Sequence, residues 1–220
     1  MVSLGPMHLV VGLGNPGPQY ADNRHNLGFM VADELARRGR AGTPREKFGA
    51  ELLEATIGGN RLLLCKPKEY MNVSGQAVAR AAGFWKIGLA ETIVVHDELD
   101  LPFGTVRGKA GGGAGGHNGV RSVMGGLGTG DFLRVRLGIG RPPAEFRGDE
   151  ADWVLMPFTE PADEVEALID GGASFVEAVL EEGMDAAIAR FHAAEPGSRA
   201  RRRHERRATA EAEVAGEEQS

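Results

Sequence analysis

Residues 12–26 read G-L-G-N-P-G-P-Q-Y-A-D-N-R-H-N and directly follow the short apolar run of residues 8–11. That run has the length and β-branched content of a buried strand, so the stretch is predicted to be a loop leaving a sheet edge. Its glycines allow a tight turn and close approach to a ligand, while Pro16 and Pro18 stiffen its path. One imidazole, His25, follows among asparagine, tyrosine and arginine side chains. We predict that His25 is the chemical centre of the molecule.

The same stretch contains the letters G-x-G-x-x-G at residues 12–17, which is the pattern of a dinucleotide-binding turn. In that motif a helix begins on the glycines and its N-terminal amides meet a pyrophosphate. Here Pro16 interrupts the turn, and helical periodicity begins only near Asn26. Two later acidic residues, Asp33 and Glu34, fall within that helix instead of at the end of a second strand. We therefore reject a dinucleotide site, and no cofactor is expected.

Composition limits the class of protein. The chain has 220 residues, 42% hydrophobic and 25% charged, which is typical of a soluble globular protein of one or two domains. The single cysteine, Cys65, lies among apolar neighbours, which favours a buried thiol in a reducing compartment. No apolar run reaches the ~20 residues of a membrane span, and the N-terminus lacks a signal-peptide pattern. We expect a cytoplasmic protein.

Charge is distributed unevenly along the chain, whose formal net charge is −6. Residues 101–147 carry seven basic and two acidic side chains, whereas residues 148–195 carry thirteen acidic side chains and one arginine. The first region could attract a polyanion and the second would repel it, which would orient a docking partner. Solvated acidic helices explain the second region about as well, but they explain the basic region less well.

Strand and helix patterns alternate along the chain. Residues 48–57 and 61–65 are predicted to form a hairpin around a Gly-Gly-Asn turn, and residues 92–96 form a central strand. Residues 101–109 and 132–139 are predicted to be extended, and residues 152–155 form a last short strand or a turn. The predicted helices run from Leu27 to a stop at Gly39, from a Ser74 cap to Trp85, from His117 to Leu127, over residues 161–170 and over residues 173–192.

This alternation predicts an α/β fold, and the antiparallel hairpin makes its sheet mixed. We expect a single-domain α/β/α sandwich, with a twisted mixed sheet flanked by helices, over residues 1–195. Residues 196–220 are rich in arginine and then in alanine and glutamate, without apolar periodicity. That composition predicts a disordered tail, which either adds weak affinity for RNA or is simply solvated.

The reactive residue types follow the predicted strands. A histidine with a buried aspartate behind it is a general-base arrangement, since the carboxylate fixes the ring tautomer and stabilises the imidazolium. His25 and Asp97 fit these two roles, whereas His96 is expected to be a structural partner. The loops hold no serine or cysteine at a nucleophile-elbow spacing, which favours water activated directly over an acyl-enzyme. Because no histidine pair or cysteine cluster has ligand spacing, no metal is expected.

Several motifs, which occur in matching order along about residues 9–192, resemble the sequence of bacterial peptidyl-tRNA hydrolase. They are G-L-G-N-P-G at 12–17, R-H-N at 24–26, Y-M-N-x-S-G at 70–75, H-D-E-L-D at 96–100 and G-G-G-x-G-G-H-N-G at 111–119. The resemblance implies a metal-independent enzyme that cleaves the ester between a peptide, or an N-blocked amino acid, and the terminal ribose of tRNA. It also implies a monomer that acts in translation.

The resemblance assigns roles to individual residues. His25 matches the catalytic base and Asp97 matches the carboxylate that supports it. Asn15 matches the residue linked to discrimination of blocked from free aminoacyl ends. Asn72 and Asn118 match asparagines that bind the substrate.

Four more positions match residues that contact the substrate. Tyr20 and Tyr70 match contacts to the tRNA or to the peptide end. Lys109 and Arg136 match the pair that holds the tRNA 5′-phosphate, which agrees with the local positive charge. Phosphate contacts position a substrate without reading its bases, which suits an enzyme that acts on many tRNAs.

The chain departs from the family pattern at two positions. Ala114 stands where many members have histidine, and Tyr70 stands where some have phenylalanine, although the ring face is retained.

His117 either caps and orients the glycine-rich segment or binds substrate. The alternative to the enzyme is a non-catalytic RNA-binding relative of the family, but the intact motif residues favour the enzyme.

Overall fold

The computed structural model describes residues 6–194, in which strands and helices alternate. The strands are β1 (Met7–Gly12), β2 (Arg45–Lys47), β3 (Ala50–Ile57), β4 (Asn60–Pro67), β5 (Thr92–Glu98), β6 (Val106–Ala110) and β7 (Leu133–Gly138). The helices are α1 (Leu27–Arg38), α2 (Ser74–Trp85), α3 (Asn118–Leu127), α4 (Glu150–Val154), α5 (Ala162–Glu182) and α6 (Met184–Ala194). Within this described part of the chain, no helix is long and apolar enough to cross a membrane. The predicted tail, residues 196–220, lies outside it.

In residues 6–194 the seven strands form one sheet in the order β2-β3-β4-β1-β5-β7-β6. Strands β4, β1, β5 and β7 are parallel neighbours, whereas β2, β3 and β6 pair antiparallel. The predicted hairpin is confirmed, with Ile57 opposite Asn60 across its turn. The apolar run of β1 lies at the centre of the sheet, where Leu9, Val10 and Val11 are fully buried.

Helices cover both faces of the sheet. Helices α1, α5 and α6 pack on one face, and α2 and α3 pack on the other. Strand β5 contributes to both cores, because Ile93 and Val95 face the first layer while Val94, between them, faces the second. The three layers and the mixed sheet confirm the fold predicted from the sequence.

Two local predictions about helices α2 and α4 were wrong. Residues 152–155, predicted as a strand or turn, lie at the end of helix α4. The Asp149 carboxylate accepts from the Asp152 amide at 2.9 Å, and the Asp152 carboxylate accepts in return from the Asp149 amide at 3.2 Å. Ser74 does not cap α2; it is the first helical residue, and its hydroxyl donates to the Met71 carbonyl at 2.9 Å.

Other boundaries also moved. The last two helices divide at Gly183 instead of near residues 171–172. Gly172 stays inside α5 because a Cβ there would lie 2.7 Å from Leu137 and 3.0 Å from Val31, so its glycine serves close packing. Gly183 has φ of +84°, a conformation that favours glycine and ends the helix. The predicted extended segment 101–109 is a strand only from Val106.

Helices α2 and α3 approach so closely that glycine is required at their contact. A Cβ at Gly75 would overlap the carbonyl oxygen of Ser122, and a Cβ at Gly126 would overlap that of Gly75. The Gly75 amide donates to the Ser122 hydroxyl at 2.9 Å. This contact fixes α3 against the first turn of α2.

Gly75→Ala is therefore expected to destabilise the protein by about 1–3 kcal/mol, because overpacking must push the two helices apart. Gly83→Ala in the same helix is the matched control, since a Cβ at that position would meet no atom within 4 Å. That change should stabilise by about 0.5–1 kcal/mol, the propensity difference between glycine and alanine in a helix. Urea unfolding midpoints measure both effects, and equal midpoints would show that the helix contact is adaptable.

Candidate active site

Several loops meet at the carboxyl ends of the parallel strands, the edge where α/β sheets bind ligands. An open cleft of about 650 Å³ lies at this edge. It is surrounded by the loops after β1 and β4, the end of β5 and the start of α3. Its far wall is formed by α4 and the residue after it. Six of the nine predicted site residues line this cleft: Asn15, His25, Tyr70, Asn72, Asp97 and Asn118.

The centre of the cleft is a hydrogen-bonded pair. His25 lies in a single 3₁₀ turn just before α1 and is buried. Its Nδ1 is 2.9 Å from Oδ1 and 3.0 Å from Oδ2 of Asp97. Because an ionised carboxylate only accepts hydrogen bonds, Nδ1 is the donor and Nε2 keeps its lone pair. The geometry is that of a general base whose tautomer is set by the aspartate.

The same contact shifts the pKa values of both groups. Burial lowers the pKa of His25, but the charge of Asp97 and its hydrogen bond raise it further, so the net pKa is above the ordinary value. Burial raises the pKa of Asp97, whereas the His25 and His117 rings hold it well below its usual range. Asp97 therefore stays ionised, and His25 is a stronger base than an isolated histidine.

A second histidine fixes the aspartate from the other side. His117 Nε2 is 3.0 Å from Asp97 Oδ1. Its Nδ1 accepts from the amides of Gly119 at 3.1 Å and Val120 at 3.3 Å, which caps helix α3. A nitrogen that accepts carries no proton, so Nε2 is protonated and donates to Asp97. Of the two roles considered for His117, the structure supports the cap, although the ring also lines the cleft.

His25, Asp97 and His117 form a group of potential metal ligands, since their ligand atoms lie within 4.8 Å of one another. A metal would need the Nε2 lone pair of His117. The ring proton would then sit on Nδ1, facing the donating amides of Gly119 and Val120. The hydrogen bonds of the ring therefore favour proton chemistry over metal coordination at this position.

His96 packs beneath the pair. Its Nδ1 is 2.6 Å from the backbone carbonyl of Asp97, and its ring lies 4.8 Å from that of His117. Burial, with a smaller contribution from His117, lowers the pKa of His96 to about 3. The ring is neutral near neutral pH and lies outside the cleft lining. It supports the site and does not act as a second base.

Asn15 is held in one orientation by the backbone. Its Oδ1 accepts from the Met71 amide at 2.9 Å. Its backbone N–H donates to Asn26 Oδ1 at 2.8 Å and its carbonyl accepts from Asn26 Nδ2 at 2.9 Å. With Oδ1 occupied, the Nδ2 hydrogens of Asn15 are left to donate into the cleft, and within residues 6–194 they have no partner.

Three predicted residues lie outside the cleft. Tyr20 ends a 3₁₀ turn in the loop after β1. Lys109 and Arg136 are diagonal neighbours on the antiparallel strands β6 and β7. Arg136 Nη1 lies 3.6 Å from the carboxylate of Glu98, which does line the cleft. The two basic side chains are thus near the cleft but separate from it.

Arg24 is a structural contributor that the sequence analysis missed. Its guanidinium is fully buried, donates to the Pro157 carbonyl and to Thr159, and pairs with Glu160 at 2.8 Å. It also lies 4.0 Å over the Trp153 ring. Arg24 thereby ties the turn that carries the base to the segment after α4, on the opposite wall of the cleft. An arginine in a polar loop is normally exposed, so no sequence signal indicated this burial.

The sequence and the fold are similar to those of known proteins. The family model for peptidyl-tRNA hydrolase matches residues 9–200. The peptidyl-tRNA hydrolase of Rhodococcus erythropolis is 53% identical over 186 residues, 84% of this chain and 97% of the relative. That of Nocardia farcinica is 52% identical over 192 residues, 86% of this chain and 98% of the relative. The crystal structure of peptidyl-tRNA hydrolase from Acinetobacter baumannii superposes with a TM-score of 0.76 at 35% identity, covering 86% and 96% of the two chains.

The raised pKa of His25 can be measured by NMR titration of its ring. We expect a midpoint above 6.5, the ordinary value, in the wild-type protein. In Asp97→Asn the midpoint should fall below 6.5, because burial remains while the attracting charge is lost. Since folding raises this pKa, protonated His25 stabilises the fold at low pH, and that contribution is lost as pH rises through the raised value.

Glu98→Gln is the control for this titration, because Glu98 lines the cleft without contacting His25. Its midpoint should match that of the wild type. A His25 midpoint that stayed unchanged in Asp97→Asn would show that the aspartate does not set the basicity of the ring.

Proposed function

The chain belongs to the peptidyl-tRNA hydrolase family, and we propose that His25, oriented by Asp97, activates the water that cleaves the ester between a peptide and the terminal ribose of tRNA. The observation that carries this proposal is the 2.9 Å contact between His25 Nδ1 and Asp97, which leaves Nε2 free at the cleft. The same pair favours the enzyme over the non-catalytic RNA-binding alternative, because binding RNA requires no buried imidazole–carboxylate pair.

The reaction needs one proton acceptor and donors for one oxyanion. As the water oxygen attacks the ester carbonyl, His25 Nε2 takes its proton and Asp97 stabilises the imidazolium. When the tetrahedral intermediate collapses, the bond to the ribose oxygen breaks and His25 returns the proton to that oxygen. The products are a peptide with a free carboxyl group and a tRNA with a free terminal hydroxyl.

An acyl-enzyme is disfavoured by the residues around the base. Among the described residues that line the cleft there is no serine, threonine or cysteine. Cys65 lies in β4, and burial raises its pKa to about 12, so it forms no thiolate near neutral pH. Direct attack by water is therefore the simplest route through this site.

Asparagine side chains supply neutral donors. We assign Asn15 to the acyl side of the ester, because its amide hydrogens can donate to the first peptide carbonyl of a blocked substrate. A free aminoacyl end carries an ammonium there, which is itself a donor and finds no acceptor. Asn118 Oδ1 accepts from Arg121 at 2.9 Å, so its amide hydrogens are also available to substrate oxygens. Asn72 is assigned the same kind of contact.

Tyrosine and basic side chains complete the binding surface. Tyr70 is 62% exposed at the cleft and presents a ring on which a base or peptide group can stack. Tyr20 is assigned a more peripheral contact. Lys109 and Arg136 are assigned to the tRNA 5′-phosphate, since they lie on one strip of adjoining strands. We further propose that the protein acts in the cytoplasm, as a monomer and without a metal.

The direct test is release of N-acetyl-amino acid from N-acetyl-aminoacyl-tRNA with chelator present. Cleavage is expected, with little or none for the unblocked aminoacyl-tRNA. His25→Ala should lower kcat by about 10²–10⁴, the contribution of a general base, and leave tRNA affinity nearly unchanged. His8→Ala, at the start of β1 and outside the cleft, is the matched histidine control. Tight tRNA binding by the wild type without cleavage would overturn the enzymatic assignment.

The phosphate assignment makes a separate prediction. Lys109→Ala or Arg136→Met should raise KM for tRNA bearing a 5′-phosphate and reduce the salt slope of binding by about 1. Neither should affect cleavage of N-acetyl-aminoacyl-adenosine, which has no 5′-phosphate arm. Arg80→Met, an exposed arginine on α2, is the control for lost positive charge. Equal losses on both substrates would contradict the assignment.

A further inference from the structure

A second buried arginine lies beneath the glycine-rich loop, residues 111–116. Arg134 projects from β7 and is only 2% exposed. Its Nη1 donates to the Gly113 carbonyl at 2.6 Å, and its Nη2 donates to the carbonyls of Gly112 and, at 3.3 Å, Gly130. Among the described residues it makes no ion pair, so backbone carbonyls replace most of the water around this charge.

These hydrogen bonds orient the peptide planes of the loop. A trans peptide holds its carbonyl and its N–H on opposite sides, and the loop has no cis bond. Because the carbonyls of Gly112 and Gly113 point towards Arg134, the N–H groups of Gly113 and Ala114 point away from it. The Ala114 carbonyl accepts from the His117 amide at 3.0 Å, so the Gly115 N–H points away from that amide. The N–H groups of Gly113 and Ala114 therefore lie on the side of the loop that faces away from Arg134.

The loop is held at both ends. Arg134 holds its first half, and His117, which donates to Asp97, holds its end. Ala114, Gly115 and Gly116 lie between these anchors, and the two glycines line the cleft. Lifting the loop as a lid would remove two carbonyls from a buried guanidinium and leave it only the 3.3 Å hydrogen bond to Gly130, which is unfavourable for a buried charge.

We propose that Arg134 is a positioning residue, which holds the first half of the glycine-rich loop in place and thereby fixes Gly115 and Gly116 in the wall of the cleft. The inference rests on the proposed function, but it assigns Arg134 a role distinct from that of Arg136. Although both arginines share one sheet face, Arg134 is buried and does not belong to the phosphate-binding surface.

The first experiment compares full-length Arg134→Met and Arg134→Lys in steady-state cleavage of N-acetyl-aminoacyl-tRNA over a series of salt concentrations. Arg134→Met should lower kcat/KM at least 10-fold, mainly through kcat, with the salt slope of the wild type. Arg134→Lys should recover part of kcat, because an ammonium can donate to the same carbonyls. A reduced salt slope would show instead that Arg134 contacts phosphate, and wild-type kinetics in both variants would also overturn the proposal.

The second experiment is a double-mutant cycle on kcat/KM between Arg134→Met and His117→Ala. If both residues act through one loop, the double variant should lose much less than the product of the single losses. Independent losses that multiply would overturn the proposal. Urea unfolding of each variant identifies any that fails to fold. If Arg134→Met does not fold, the cycle is measured with Arg134→Lys in its place.

Failure of the proposed function and failure of the Arg134 proposal give different results. A wild-type protein that cleaves no blocked aminoacyl-tRNA refutes the proposed function. An active wild type whose Arg134 variants are equally active refutes only the positioning role. Arg80→Met, in which an exposed arginine is lost from α2, should retain wild-type kinetics throughout.

Discussion

One buried carboxylate is the constraint on which the site depends. Asp97 is 2% exposed, and a charge removed from water requires donors that replace its hydration. His25 and His117 supply them from positions 72 and 20 residues away in the sequence. Satisfying this charge therefore draws the loop after β1 and the cap of α3 to the end of β5. The same contact sets the tautomer and the basicity of His25, so the interaction that assembles the loops is also the one that prepares the base.

Two buried arginines hold the walls of the cleft in the same way, because each buried charge draws hydrogen-bond partners from another segment. Arg24 binds the segment after α4, and Arg134 binds the glycine-rich loop on the other side. Burial lowers the pKa of both groups, yet each keeps charge-assisted hydrogen bonds to carbonyl oxygens. A site that uses water directly gains most from such rigidity, because its donors must already point at the developing oxyanion when the water attacks. The open cleft thus lies between walls that polar interactions hold in place.

The sequence is sufficient to predict the α/β/α fold and the proximity of His25 and Asp97, because apolar periodicity and strand-exit loops report these features. It does not report which charges are buried. The sequence places Arg134 only within a basic region, and its burial depends on carbonyls contributed by a loop about twenty residues earlier. The helix break at Gly183 was missed for a related reason. The glycine pair that ends at Gly172 suggests a stop, but Gly172 is a packing position against Leu137, and packing requires the assembled structure.

In the proposed function, charged side chains and neutral polar side chains recognise different parts of the substrate. On the proposed function, partly exposed cations such as Lys109 lie beside the cleft, where attraction to phosphate adds affinity without selecting the acyl group. Inside the cleft, the group that we propose selects the acyl end is the amide of Asn15, whose oxygen already accepts from the Met71 backbone. Because only its donor face is left, it favours a carbonyl over an ammonium at the same place. On this proposal, discrimination of blocked from free ends follows from a backbone hydrogen bond and requires no contact with the side chains of the peptide.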